Sequence, residues 1–270
     1  MSPLGTALAA LALGFVSGIV SAIAGVGGAV VTTPGVRAIG ATPLQAVGST
    51  VPAVIPAAIT GSIRYAKEGL IRWRVALWCG ATGTAFAALG VWASTKIEGG
   101  WLMVATAILV LYSSGTILWK AHVGRRDLRL RPVGAAVATD LVKPVGTESI
   151  VALIAIGVAA GFLAGVLGVG GGLILVPAFT GLLRLPVKEA VATSLVAVAL
   201  MSVTSLVGHA IAGHIDWTYA IPLAIGVIPG ARVGSLVLVR SSEQRMRVIC
   251  GVVLGILGLV YLATELSKIL

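Results

Sequence analysis

G-V-G-G-A-V-V-T-T-P runs from Gly25 to Pro34, and G-V-G-G-G-L-I-L-V-P runs from Gly168 to Pro177. Each is a knot of glycines with a proline nine residues after its first glycine, set inside otherwise apolar sequence. Glycine has no Cβ, so such a segment can turn sharply where any other residue would clash. The reading of these two knots decides the fold.

The surroundings identify the solvent. Hydrophobic residues make up 58% of the chain and charged residues 10%, and mean hydropathy is +1.07. That composition lies outside the range of soluble domains and marks an all-α integral membrane protein. Apolar runs recur at Leu4–Ala24, Ala46–Ile63, Val75–Ser94, Trp101–Trp119, Ile150–Leu167, Ala190–Val207, Tyr219–Val239 and Val248–Thr264. Most approach the roughly 20 residues a helix needs to cross the hydrocarbon. None alternates with period two, as a barrel strand would. The N-terminal segment lacks a basic start and a small-residue cleavage site, so it reads as a first membrane helix and not as a removed leader.

Shifting the second half by 143 positions places Gly168, Gly170, Gly171, Pro177 and Pro186 on Gly25, Gly27, Gly28, Pro34 and Pro43. With one further residue of shift, A-V-A-T-S (Ala190 to Ser194) falls on A-V-G-S-T (Ala46 to Thr50) and Trp217 on Trp73. The chain is therefore read as two homologous repeats, 1–121 and 149–270, joined by a basic cytoplasmic linker, 122–148. Each repeat is expected to hold a glycine-tipped helical hairpin plus three transmembrane helices, 8–10 membrane segments in all. Duplicated carriers commonly place their substrate where the repeats meet.

Charge bears on orientation. The net charge is +10, and the basic residues sit mainly between apolar runs, so contact with anionic membrane lipid is expected and nucleic acid is not. If the chain reverses at each knot, the repeats are inverted and one face collects fifteen Lys and Arg against three (Arg37, Lys96, Lys268). Without reversal the split is eleven to seven. The positive-inside rule favours the inverted arrangement, with both termini outside.

A turn that leads straight into a helix exposes unpaired amides and the positive end of a helix dipole, which suits an anion. The candidate substrate-binding set is Gly25, Gly27, Gly28, Ser49, Thr50, Gly168, Gly170, Gly171, Gly172, Thr193, Ser194 and Arg232. The Ser/Thr pairs either cap helices or give hydroxyls to the anion; Arg232 either faces the cavity or snorkels to the interface. Gly14, Gly18, Gly157, Gly161 and Gly165 read as helix-packing glycines. His209 and His214 read as interfacial, and Cys79 and Cys250 as small buried hydrophobes. All nine acidic residues lie in loops or near segment ends, so a carboxylate relay is not expected. Nothing resembles a nucleotide fingerprint, a nucleophile–base pair or a metal-ligand spacing, so no catalytic residue, metal or cofactor is expected.

The doubled G-x-G-G-x-x-x-x-x-P, the A-V-G-S-T and A-V-A-T-S segments and the elements ending at Trp73 and Trp217 resemble the TauE/SafE sulfite exporter family over nearly the whole chain. The resemblance implies a multi-pass carrier of a prokaryotic inner membrane, with a small sulfur-containing anion such as sulfite or an organosulfonate as cargo. It is compatible with a homodimer. The alternative is an anion channel whose pore the knots line. Ala29 stands where the second knot has Gly172, so the pattern is fuller in the second repeat.

Overall fold

The computed structural model describes residues 3–97, 99–130, 149–168 and 170–269. Their regular structure is entirely helical: α1 (Pro3–Ala24), α2 (Ala29–Ala38), α3 (Pro43–Lys67), α4 (Trp73–Ser94), α5 (Gly99–Leu130), α6 (Ile150–Leu167), α7 (Gly172–Gly181), α8 (Val187–Ile211), α9 (Trp217–Arg240) and α10 (Glu243–Ile269). Six of these, α1, α3, α4, α6, α8 and α9, are long and apolar enough to cross a membrane. α5 continues into the basic segment read as the start of the linker; the rest of that segment, 131–148, lies outside the described residues. Leu4, Leu8, Val151, Ile211 and Ile225 are all more than half exposed. Such an outer surface suits lipid and would be a liability in water.

Helix α1 breaks at its knot and returns as α2, and α6 does the same into α7. Each return helix has ten residues, about 15 Å of rise, or half of the hydrocarbon thickness. Pro34 and Pro177 lie inside these helices, and each removes one internal hydrogen bond.

Small residues set the packing between the halves. Leu11, Phe15 and Ile19 of α1 meet Gly226, Gly230 and Gly234 of α9 in the same order, so these helices run parallel. Cys79, Gly83 and Ala87 of α4 meet Gly157, Gly161 and Gly165 of α6, again in parallel. A Cβ on Gly161 would strike the backbone of Gly83. Backbones approach this closely only where side chains are absent. By contrast, Leu118, Ser114 and Leu111 of α5 meet Gly251, Gly255 and Gly258 of α10, so those helices are antiparallel. α4 and α8 run together from Arg72 beside Glu189 to Val91 beside Gly208. α3 opposes α8: its Gly61 meets Leu195 near the start of α8, Val54 and Val198 share contact with Gly170, and Gly48 lies against His214 just past the end of α8.

Candidate functional site

Both knots are built from left-handed backbone. Gly25, Gly27 and Gly28 have φ of 72°, 78° and 86°, and Gly168, Gly170 and Gly171 have 63°, 74° and 74°. A side chain at any of them would add about 1–2 kcal/mol of backbone strain. Gly28 and Gly171 are the N-caps of α2 and α7, and neither helix receives a side-chain cap.

The first helical bonds run from Val31 and Thr32 to Gly28 O, and from Ile174 and Leu175 to Gly171 O. The amides of Ala29, Val30, Gly172 and Leu173 precede them and have no partner among the described residues. All four residues are buried. A buried N–H without an acceptor costs about 1–3 kcal/mol, so each helix start offers two donors in need of one, at the positive end of its dipole.

The knots touch each other. A Cβ on Gly172 would come within 2.6 Å of Val26 Cα and would also strike Gly25 O. The glycine at 172 is thus demanded by contact with the first knot, whereas Ala29, at the matching place, keeps a fully buried methyl. The longer glycine run of the second repeat has a packing cause.

The hydroxyl pairs divide their labour. Ser49 Oγ accepts from Asp216 N at 2.8 Å, and Thr193 Oγ1 accepts from Arg72 N at 3.0 Å. These amides begin α9 and α4, so each hydroxyl serves a helix of the opposite half and not its own. Ser194 Oγ donates at the first knot, 2.9 Å from both Gly25 O and Val191 O. Thr50 Oγ1 lies 3.3 Å from Thr33 Oγ1 of α2 and 2.9 Å from Val47 O. Two hydroxyls outside the sequence-based set also belong here. Ser21 and Ser202 are buried, and neither Oγ has a partner. Ser21 flanks Gly28 and Ser202 flanks Gly170. No motif signals them, because the sequence shift sets Ala164 against Ser21 and Ala58 against Ser202.

Arg232 does not join this cluster. It lies on the exposed outer side of α9, while Ala231 and Gly234 face inward. No Asp, Glu, Lys or Arg is fully buried among the described residues. A charged pair, Arg72 with Glu189, Nε to Oε2 2.6 Å, lies beside Thr193.

His209 departs from an interfacial reading. It is fully buried, with Nδ1 3.1 Å from His214 Nδ1 and Nε2 3.3 Å from Gly165 O, three residues before the second knot. The first half has Tyr65 in the matching place, donating to Ala22 O at 2.6 Å, three residues before the first knot.

The family model described as Sulfite exporter TauE/SafE matches residues 10–261. The chain belongs to the TauE/SafE family. Among the relatives of this TauE/SafE protein, the probable membrane transporter protein YunE of Bacillus subtilis is 27% identical, covering 91% of this chain and 93% of the relative. A probable membrane transporter protein of Xylella fastidiosa is 30% identical, covering 82% and 80%. Another, from Methanocaldococcus jannaschii, is 23% identical over 92% of each chain. No solved structure matches. The molecule is a multi-pass membrane protein of a transporter family.

Proposed function

We propose that the protein is a secondary carrier of a small sulfur-containing anion, sulfite or an organosulfonate, held by the amides at the two glycine turns and moved by alternating access. The observation that carries this reading is the set of four buried amides at the starts of α2 and α7 that find no partner among the described residues. A sulfite or sulfonate group presents three acceptor oxygens, enough to engage donors from both knots and from Ser21 or Ser202. Binding by dipoles also suits a site into which no charged side chain is buried. The family description, sulfite exporter, supplies the sulfur chemistry.

Helix directions support two inverted halves. The helices paired by the sequence shift, α3 with α8 and α5 with α10, run in opposite directions. Alternating access in duplicated carriers uses this relation, one half rocking against the other around a shared site. The mutual packing of Gly172 on Gly25 and Val26 favours a carrier over a channel, whose knots would stand apart around a pore.

The test is uptake into proteoliposomes of the purified full chain, comparing labelled sulfite, thiosulfate, toluenesulfonate and sulfate. Saturable uptake of sulfite or the sulfonate, accelerated by unlabelled substrate on the opposite side, is the expected result. Non-saturating flux without counterflow would replace the carrier with a channel.

A further inference from the structure

The two halves match closely at the latch behind each knot, except in the residue that makes it. Tyr65 near the end of α3 ties α1 through Ala22 O, and His209 near the end of α8 ties α6 through Gly165 O. The second latch has an ionisable partner, His214 on the α8–α9 turn, with ring centroids 5.3 Å apart. That turn is itself fixed to the first half: Gly48 packs against His214, and Asp216 N donates to Ser49.

The hydrogen bonds assign the protons. Gly165 O can only accept, so His209 Nε2 carries hydrogen and donates to it. A neutral His209 then has a bare Nδ1, which accepts from Nδ1–H of His214. This leaves His214 Nε2 as the basic nitrogen. One proton can bind there without breaking a bond of the pair. A second would have to enter at His209 Nδ1, where it would face the Nδ1–H of His214 across 3.1 Å.

We propose that the His209–His214 pair is the proton-binding site of the carrier, taking one proton at His214 Nε2 and coupling it to opening of the face that holds the α8–α9 turn. This rests on the carrier reading above. Burial lowers the affinity of His214 for a proton below that of an ordinary histidine. The closed arrangement therefore prefers the neutral pair, and protonation favours a state in which the imidazoles are hydrated. Opening here releases Gly165, and with it the end of α6 that leads into the second knot.

Among the described residues, few other charges bear on the pair. Helix α6 contains no ionisable residue. On α4 the packed turn is Val91 against Gly208, with Lys96 beyond the helix end. From α3 the contact is Gly48, and Arg64 and Lys67 lie at the far end of that helix. Helix α9 brings Asp216, whose Oδ1 accepts from Thr218 N at 2.9 Å, and Tyr219. On α8 itself, Lys188 and Glu189 sit in the opposite end turn. Arg37, at the end of α2, donates to Ala41 O.

The experiment uses the full chain with His122→Gln, which leaves only the pair of the three histidines. Nitrogen NMR of labelled histidine in nanodiscs should show both rings responding to one proton, with the titration of either ring displaced when the other is replaced by Gln. In proteoliposomes, exchange of toluenesulfonate, which does not titrate in this range, should change with pH by up to about tenfold per unit, as a one-proton step requires. His209→Tyr copies the latch of the first half without a titrating ring; it should keep exchange and lose both this pH dependence and accumulation driven by a pH gradient. Independent ordinary titrations, or an unchanged pH profile in both His209→Tyr and His214→Gln, would overturn the proposal while leaving the carrier intact. Absence of saturable exchange of any sulfur anion by the unmodified protein would overturn both.

Discussion

At the scale of single residues, the glycines fall into two groups that a substitution series should separate. Gly28 and Gly171 combine positive φ with a tight fit, a Cβ reaching 2.6 Å from Ser17 Oγ in one case and 2.8 Å from Ala160 O in the other. Ala at either should misplace the amides that follow, and loss of one or two anion hydrogen bonds corresponds to roughly 10- to 100-fold weaker binding. Affinity measured on monodisperse protein, with Tm beside it, checks this; unchanged affinity in the Gly28→Ala, Gly171→Ala double variant would place the anion elsewhere. Gly161→Ala should act on Tm alone, since it separates α6 from α4. Ala29→Gly should not improve the first knot. The buried methyl is lost and a helix-start residue gains freedom, at a cost of about 1 kcal/mol. The need for glycine in the knots was legible because it is a property of local backbone. The orientation of Arg232 was not, because only the docking of α9 on α1 decides which of its faces meets lipid.

At the scale of helices, the short α2 and α7 depend on their neighbours. Isolated helices of this length are marginal, and α2 is tied down by Ser17, which donates to Gly28 O, and by the contact of Thr33 with Thr50. More exacting are the two hydroxyl ties between the halves, at the starts of α4 and α9. Thr193→Val keeps the shape but leaves Arg72 N unsatisfied, and should lower stability by about 1–3 kcal/mol, while Thr193→Ser should restore most of it. Thermal unfolding in one detergent compares the two, and equal loss in both would show that the methyl and not the hydroxyl matters. Arg72→Gln should cost less, because the ion pair with Glu189 is partly exposed and such pairs are worth about 1 kcal/mol or less. The positions of the helices were readable from apolar runs and glycine breaks. Partners of Ser49 and Thr193 were not, since they lie 167 and 121 residues away and local spacing carries no information about them.

For the whole molecule, the inverted reading makes an orientation prediction. The α3–α4 and α9–α10 turns should share the cytoplasmic face, and the α4–α5 turn should lie outside. In a background with Cys79 and Cys250 replaced by Ser, single cysteines at Glu68 and Ser242 should be labelled from one side and one at Lys96 from the other. Labelling of Glu68→Cys and Ser242→Cys from opposite sides would break the model of two opposed halves. The sequence by itself determined the membrane class, the places where the chain turns and the family. Hydropathy, the missing Cβ and the spacing of motifs are all written along the chain. Tertiary structure alone decided that the two knots touch, that hydroxyls of one half cap helices of the other, that His209 is buried against Gly165 of α6, and that Arg232 faces outward. Each of these depends on contacts between segments far apart in sequence, and those are set by how glycine-faced helices fit together in three dimensions.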